Sequence, residues 1–99
     1  MTDDLRASTF EKHVGTTFTA TSQEGDAVPL TLVEVLPYPE QPHAPRTDPF
    51  SLMFTGPPER AFPQCVRTVT HPEIGPWDLL LVPRRPEADG LARYEVMIN

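Results

Sequence analysis

Hydrophobic and polar residues alternate with a period of two along most of this chain, and Pro- or Gly-marked turns interrupt the alternation. That period puts successive side chains on opposite faces of a strand. Phe18 and Ala20 alternate with Thr17, Thr19 and Thr21, which predicts a half-buried strand with a Thr face toward solvent. Gly25 in "QEGD" suits a short hairpin loop, and "VPLTLVEVL" returns as a second strand with Pro29 near its start. "FSLMFTG" predicts a third strand, with Phe50, Leu52 and Phe54 on one face and Ser51, Met53 and Thr55 on the other. From Gln64 onward three more strands are expected in succession: "CVRTVTH", "WDLLLVP" and "ARYEVMI".

This last third is the stretch around which the earlier segments are expected to wrap, because a strand running to Asn99 needs neighbours to pair with. Trp77, Leu79 and Leu81 share a face, as do Tyr94, Val96 and Ile98. Strand five is apolar on both sides at its far end, through Leu80 and Val82, and is therefore expected to be central.

Two positions break the alternation. Leu30, Leu32 and Leu36 share a face that would also carry Glu34, while Val33 and Val35 point the other way. Either a bulge between Leu32 and Val33, or burial on both sides, resolves the conflict, or Glu34 points inward and needs a partner, since an unpaired buried carboxylate is too costly. Arg67 repeats the conflict between Cys65 and Val69. It either faces solvent or turns inward, in which case Glu34 is its natural mate in a structural ion pair.

Residues 1–7 are expected to form a loose N-terminal end. Ser8 or Thr9 suits the cap of a helix of one or two turns in "STFEKHVG", stopped at Gly15, which would lay Phe10 and Val14 over an open end of the core. The fold class that follows is all-β: a single small antiparallel barrel, or a curled sandwich, of about six strands with a short N-terminal helix. Ninety-nine residues suffice for one domain, 1–99, and not for two.

Composition changes this picture at two places. Thirteen prolines are well above ordinary usage, and five of them fall in Pro37–Pro49, a long connection without apolar periodicity. Loops of that length are functional or simply spanning. The net charge of −6, with cations scattered rather than clustered, argues against nucleic acid or an anionic membrane as a partner. The longest apolar run is Leu79–Val82, so no signal peptide or membrane span is expected, and a cytoplasmic location is the default reading.

Candidate chemistry is sparse. Cys65 is the single thiol, lies in no nucleophile motif, and reads best as a small buried residue. His13, His43 and His71 have no ligand spacing, and His71 beside Glu73 is explained equally well by a solvated turn. No Gly-rich phosphate loop occurs. No catalytic, cofactor-binding or metal-ligating residue is therefore assigned, and no cofactor is expected.

The segments "TFEKHVGTTFTA", "LTLVEV", "FSLMFTGP", "FPQCVRTVTHPEIGPWDLLLVP" and "YEVMIN" resemble a small, functionally uncharacterised family of bacterial domains of about this length. In that family a Gly is expected where Cys65 stands, which weighs against a shared nucleophile. The resemblance also implies an association with proteins similar to phage tail-fibre or tail-collar proteins, hence an accessory or assembly role.

The expected function is non-enzymatic binding of another protein, with a tail-fibre-like partner by that analogy, as a monomer or weak homo-oligomer. Exposed sheet edges, or the loops Pro37–Pro49 and Pro83–Gly90, would make the contact, with Tyr38, His43, Arg46, Arg84 and Arg85 as candidate residues. The alternatives are a barrel that holds a small apolar ligand beneath Phe10 and Val14, and an enzyme in which His71, Glu73 and Cys65 converge.

Overall fold

A computed structural model describes residues 6–37 and 49–98. A short helix, α1 (Ala7–Glu11), precedes six strands: β1 (Thr17–Thr21), β2 (Ala27–Pro37), β3 (Phe50–Gly56), β4 (Cys65–Thr70), β5 (Trp77–Arg84) and β6 (Ala92–Ile98). One turn of 3₁₀ helix, Pro58–Arg60, lies between β3 and β4. All neighbouring strands are antiparallel, and the sheet closes in the order β1-β2-β3-β6-β5-β4. The return of β4 to β1 makes a Greek key. The expected all-β barrel with a short N-terminal helix is the observed architecture, and β4, β5 and β6 form the expected meander.

Closure follows from the pattern. In every strand alternate residues are buried, apolar except for Arg67 in β4 and with a change of phase in β2, so the inner faces of six short strands together make one core. Phe18, Leu32, Phe50, Leu52, Phe54 and Leu81 are completely buried. Closure also bears on two expectations. A closed barrel has no central strand, so Leu80 points to solvent at 46% exposure. It also pairs each strand on both sides over at least part of its length, so only short stretches, such as residues 96–98 of β6, are paired on one side alone.

The conflict in β2 is resolved by a bulge. Leu32 lies opposite Phe54 and Glu34 opposite Met53, which makes Val33 the extra residue. Val28, Leu30 and Leu32 face inward before the bulge, and Val35 packs against the core after it. Leu36, grouped with Leu30 and Leu32 by period alone, is shifted opposite Ser51 and away from their row.

The Glu34–Arg67 ion pair is not formed. The bulge turns Glu34 out to solvent, whereas Arg67 is 7% exposed, contrary to the reading that faced it toward solvent. Its partner is Asp26 in the β1–β2 turn.

The strands' alternating directions place the starts of β1, β3 and β5 at one end of the barrel, and α1 plugs that end. Phe10 is fully buried, with ring centroids 4.8 Å from Trp77, 5.9 Å from Phe50 and 6.3 Å from Phe18. Val14 does not share the task and is 44% exposed. The helix starts earlier than expected: Arg6 is the N-cap, without a side-chain cap bond, and Ala7, assigned to the loose end from sequence, is buried. Gly15, at φ 91°, ends the segment in the left-handed conformation expected of it. Tyr38, His43 and Arg46 lie outside the described residues.

Candidate functional site

The end of the barrel opposite α1 gathers most of the polar chemistry. Arg67 projects from the inner face of β4 toward this mouth. Its Nη1 donates to the Asp26 carbonyl at 2.9 Å and the Ala20 carbonyl at 3.3 Å, and both terminal nitrogens lie 3.3 Å from Asp26 Oδ2. Arg60, from the 3₁₀ turn, donates to Asp26 Oδ1 at 2.8 Å and to the Ala27 carbonyl at 3.0 Å. Asp26 is thus clamped between two guanidinium groups. The Arg60 hydrogen bond is the largest influence holding its carboxyl below the usual 3.8; desolvation opposes it, and the Arg67 bond and the charges of both cations add to it.

Phe62 closes this mouth as Phe10 closes the other. Its ring stacks on Tyr94 at 4.3 Å and 10°, the Arg67 guanidinium lies 3.9 Å from its centroid, and its N–H donates to Tyr94 Oη at 3.1 Å. The stack on Tyr94 holds Phe62, which comes from the connection between β3 and β4, over the core.

Beside this stack, between the 3₁₀ turn and the β5–β6 loop, is a mainly apolar groove of about 190 Å³. Pro58, Ala61, Phe62, Pro83, Pro86 and Tyr94 make its apolar wall, and Arg84 and Arg93 stand at its rim. Arg84 Nε donates to Glu95 Oε1 at 2.7 Å, and Arg93 lies 3.4 Å from Glu87. Arg85 is exposed next to them. Of the candidate partner-binding residues, the described ones, Arg84 and Arg85, therefore lie at one site, in and beside the groove. A second depression, of about 360 Å³, adjoins Ser22, Gln23, Glu24, Cys65 and Arg67, and its wall is polar and apolar in similar measure.

The constellation that would favour the enzyme alternative, His71 and Glu73 with Cys65, does not assemble. Cys65 opens β4 and His71 follows its last residue, so about 20 Å of extended chain separates them. Cys65 is half-buried against the core rather than fully enclosed. Among the described residues, no three His, Cys, Asp or Glu side chains group as metal ligands.

His71 does have neighbours, at the α1 end of the barrel. Its ring is 4.6 Å from those of His13 and Phe18, its Nε2 is 3.1 Å from Thr16 Oγ1, and its Nδ1 accepts the Glu73 amide at 3.0 Å. Burial, and then the charge of His13, lower its pKa from the ordinary 6.5 against the opposing pull of Glu73. Fifty-eight positions separate His13 from His71, so no local spacing announces the pair.

No curated protein and no solved structure matches this chain significantly. A family model matches residues 5–98, nearly the whole chain, in agreement with the resemblance to a small uncharacterised family: the chain belongs to the DUF6916 family, a domain of unknown function.

Proposed function

We propose that this barrel is a non-enzymatic binding module that captures an extended segment of another protein in the groove beside the Phe62–Tyr94 stack. The observation that carries the reading is the groove itself: a preformed apolar wall with Arg84 and Arg93 among its lining residues and Arg85 next in sequence, on a protein of net charge −6. Arg84 and Arg93 already meet carboxylates of this chain, Glu95 and Glu87. A volume of about 190 Å³ is below the range of drug-sized sites and suits one or two apolar side chains. The partner segment is therefore one that sets an apolar anchor beside Asp or Glu, whose carboxylates meet the exposed Arg85 and compete with Glu87 and Glu95 for the other two arginines.

A tail-fibre-like partner rests on the family resemblance alone, and a cytoplasmic setting rests on the composition of the chain. The small-ligand reading is weaker, because the volume beneath α1 is taken by the Phe10 ring.

Selection of a random-peptide library on the intact domain tests the proposal. Expected are sequences that pair an apolar residue with acidic neighbours, and whose binding is lost in Ala61→Glu, which sets a carboxylate in the groove. Absence of enrichment, or peptides that bind Ala61→Glu equally well, overturns it.

A further inference from the structure

We propose that His71 is an acid-sensitive clasp that holds the α1 plug on its end of the barrel. The contacts determine the state of the ring. Thr16 Oγ1 has one proton, and its 2.6 Å contact with the His13 carbonyl commits it there. The same oxygen must then accept from His71 Nε2–H, 3.1 Å away, while Nδ1 accepts the Glu73 N–H at 3.0 Å. Only the neutral imidazole with its proton on Nε2 satisfies both.

The connection runs on to the plug. His13 donates its amide to the Phe10 carbonyl at 2.9 Å, Thr16 donates its own amide to the His13 carbonyl at 3.1 Å, and Gly15 and Thr16 bond the backbone of Leu32 in β2. His71, in the β4–β5 turn, thereby ties the α1–β1 turn to the end of β4, the strand that pairs with β1 across the barrel closure.

A second proton has no acceptable place. On Nδ1 it would point at the Glu73 N–H, two donors face to face, and the cation would stand against the His13 ring. The titratable groups that act on His71 are His13, from the turn after α1, and Glu73 of its own turn; β1 and the residue before it contribute Phe18 and Thr16, which do not ionise at these pH values. Glu73 favours the cation, and burial and His13 outweigh it. The docked state thus prefers the neutral ring. Its contribution is whole above the undocked value near 6.5 and is lost as pH falls through the depressed value of the docked state. Acid therefore loosens the α1–β1 turn and, with it, the cover that Phe10 provides over Phe18, Phe50 and Trp77.

Native-state hydrogen exchange from about pH 7.5 to about pH 5, corrected for intrinsic rates, tests this. Expected is increased opening of the α1 and Thr16 amides, tenfold for each unit by which the His71 pKa is depressed, with β3 unchanged. His71→Gln should flatten the dependence, and His13→Gln should move its midpoint to higher pH by removing the like charge. A flat wild-type profile, or an unchanged profile in His71→Gln, overturns the proposal. Ring ¹⁵N shifts of the wild-type protein decide independently of any variant: a proton on Nδ1 of His71 at neutral pH also overturns it.

Discussion

Arg67 and Asp26 meet at the barrel mouth, where the buried guanidinium takes both the side chain and the backbone carbonyl of the exposed acid. The arrangement brings the terminal nitrogens of an inward-facing cation to acceptors at the rim while its stem stays inside, and its buried Nε has no hydrogen-bond partner among the described residues. Arg67→Met should cost about 1–3 kcal/mol, mainly because the Ala20 and Asp26 carbonyls lose their donor. Asp26→Asn should cost less, because that side chain is solvated. Urea unfolding of the two variants checks the order.

Asp26 also predicts an acid limb in the stability profile. Its carboxyl is held low by Arg60 first and by Arg67. A lowered folded value means that its contribution is complete above 3.8 and is lost as pH falls through the lowered value. The wild type should lose stability more steeply than Asp26→Asn on acidification below that point. Parallel slopes would remove Asp26 from the account.

Phe10 and Val14 were expected to share the work of covering the barrel end, and only Phe10 is buried. Phe10→Ala should destabilise by about 3–5 kcal/mol, as large-to-small changes at filled aromatic sites do. Val14→Ala should stay within about 0.5 kcal/mol. Denaturant midpoints for both variants distinguish a plug of one residue from a plug of two.

Gly56 ends β3 where the barrel wall is tight. A Cβ there would lie 2.6 Å from Leu30 Cδ2 and 3.4 Å from the Pro29 carbonyl. Leu30 is buried and has little room to move, so Gly56→Ala should cost about 1–3 kcal/mol through overpacking. An unchanged thermal midpoint would show that Leu30 can turn aside.

Tyr94→Phe keeps the stack on Phe62 and removes the oxygen that accepts the buried Phe62 N–H. The expected loss is about 1–2 kcal/mol, from an unsatisfied donor rather than from packing. Exchange of the Phe62 amide should rise with it.

Much of the fold was legible because a strand writes its burial into alternate residues. The inward rows of β1, β3, β5 and β6 are those the period picked out, and the bulge in β2 showed itself as a change of phase at Leu32 and Val33. The site was less legible. Arg84 and Arg85 were picked as loop cations, yet the groove beside them depends on Phe62 and Pro58 coming from a different connection. The clue available was Phe62, an aromatic residue in a loop with a core to cover.

Alternation, turn residues and length were enough by themselves to determine an all-β domain with a short helix at its start, since those signals are local. Closure of the barrel, Asp26 in place of Glu34 as the mate of Arg67, and the meeting of His13 with His71 were decided only in three dimensions. Each depends on strand register and on which turns share a barrel end, and those relations are set by the packing of the whole core rather than by any neighbouring residues.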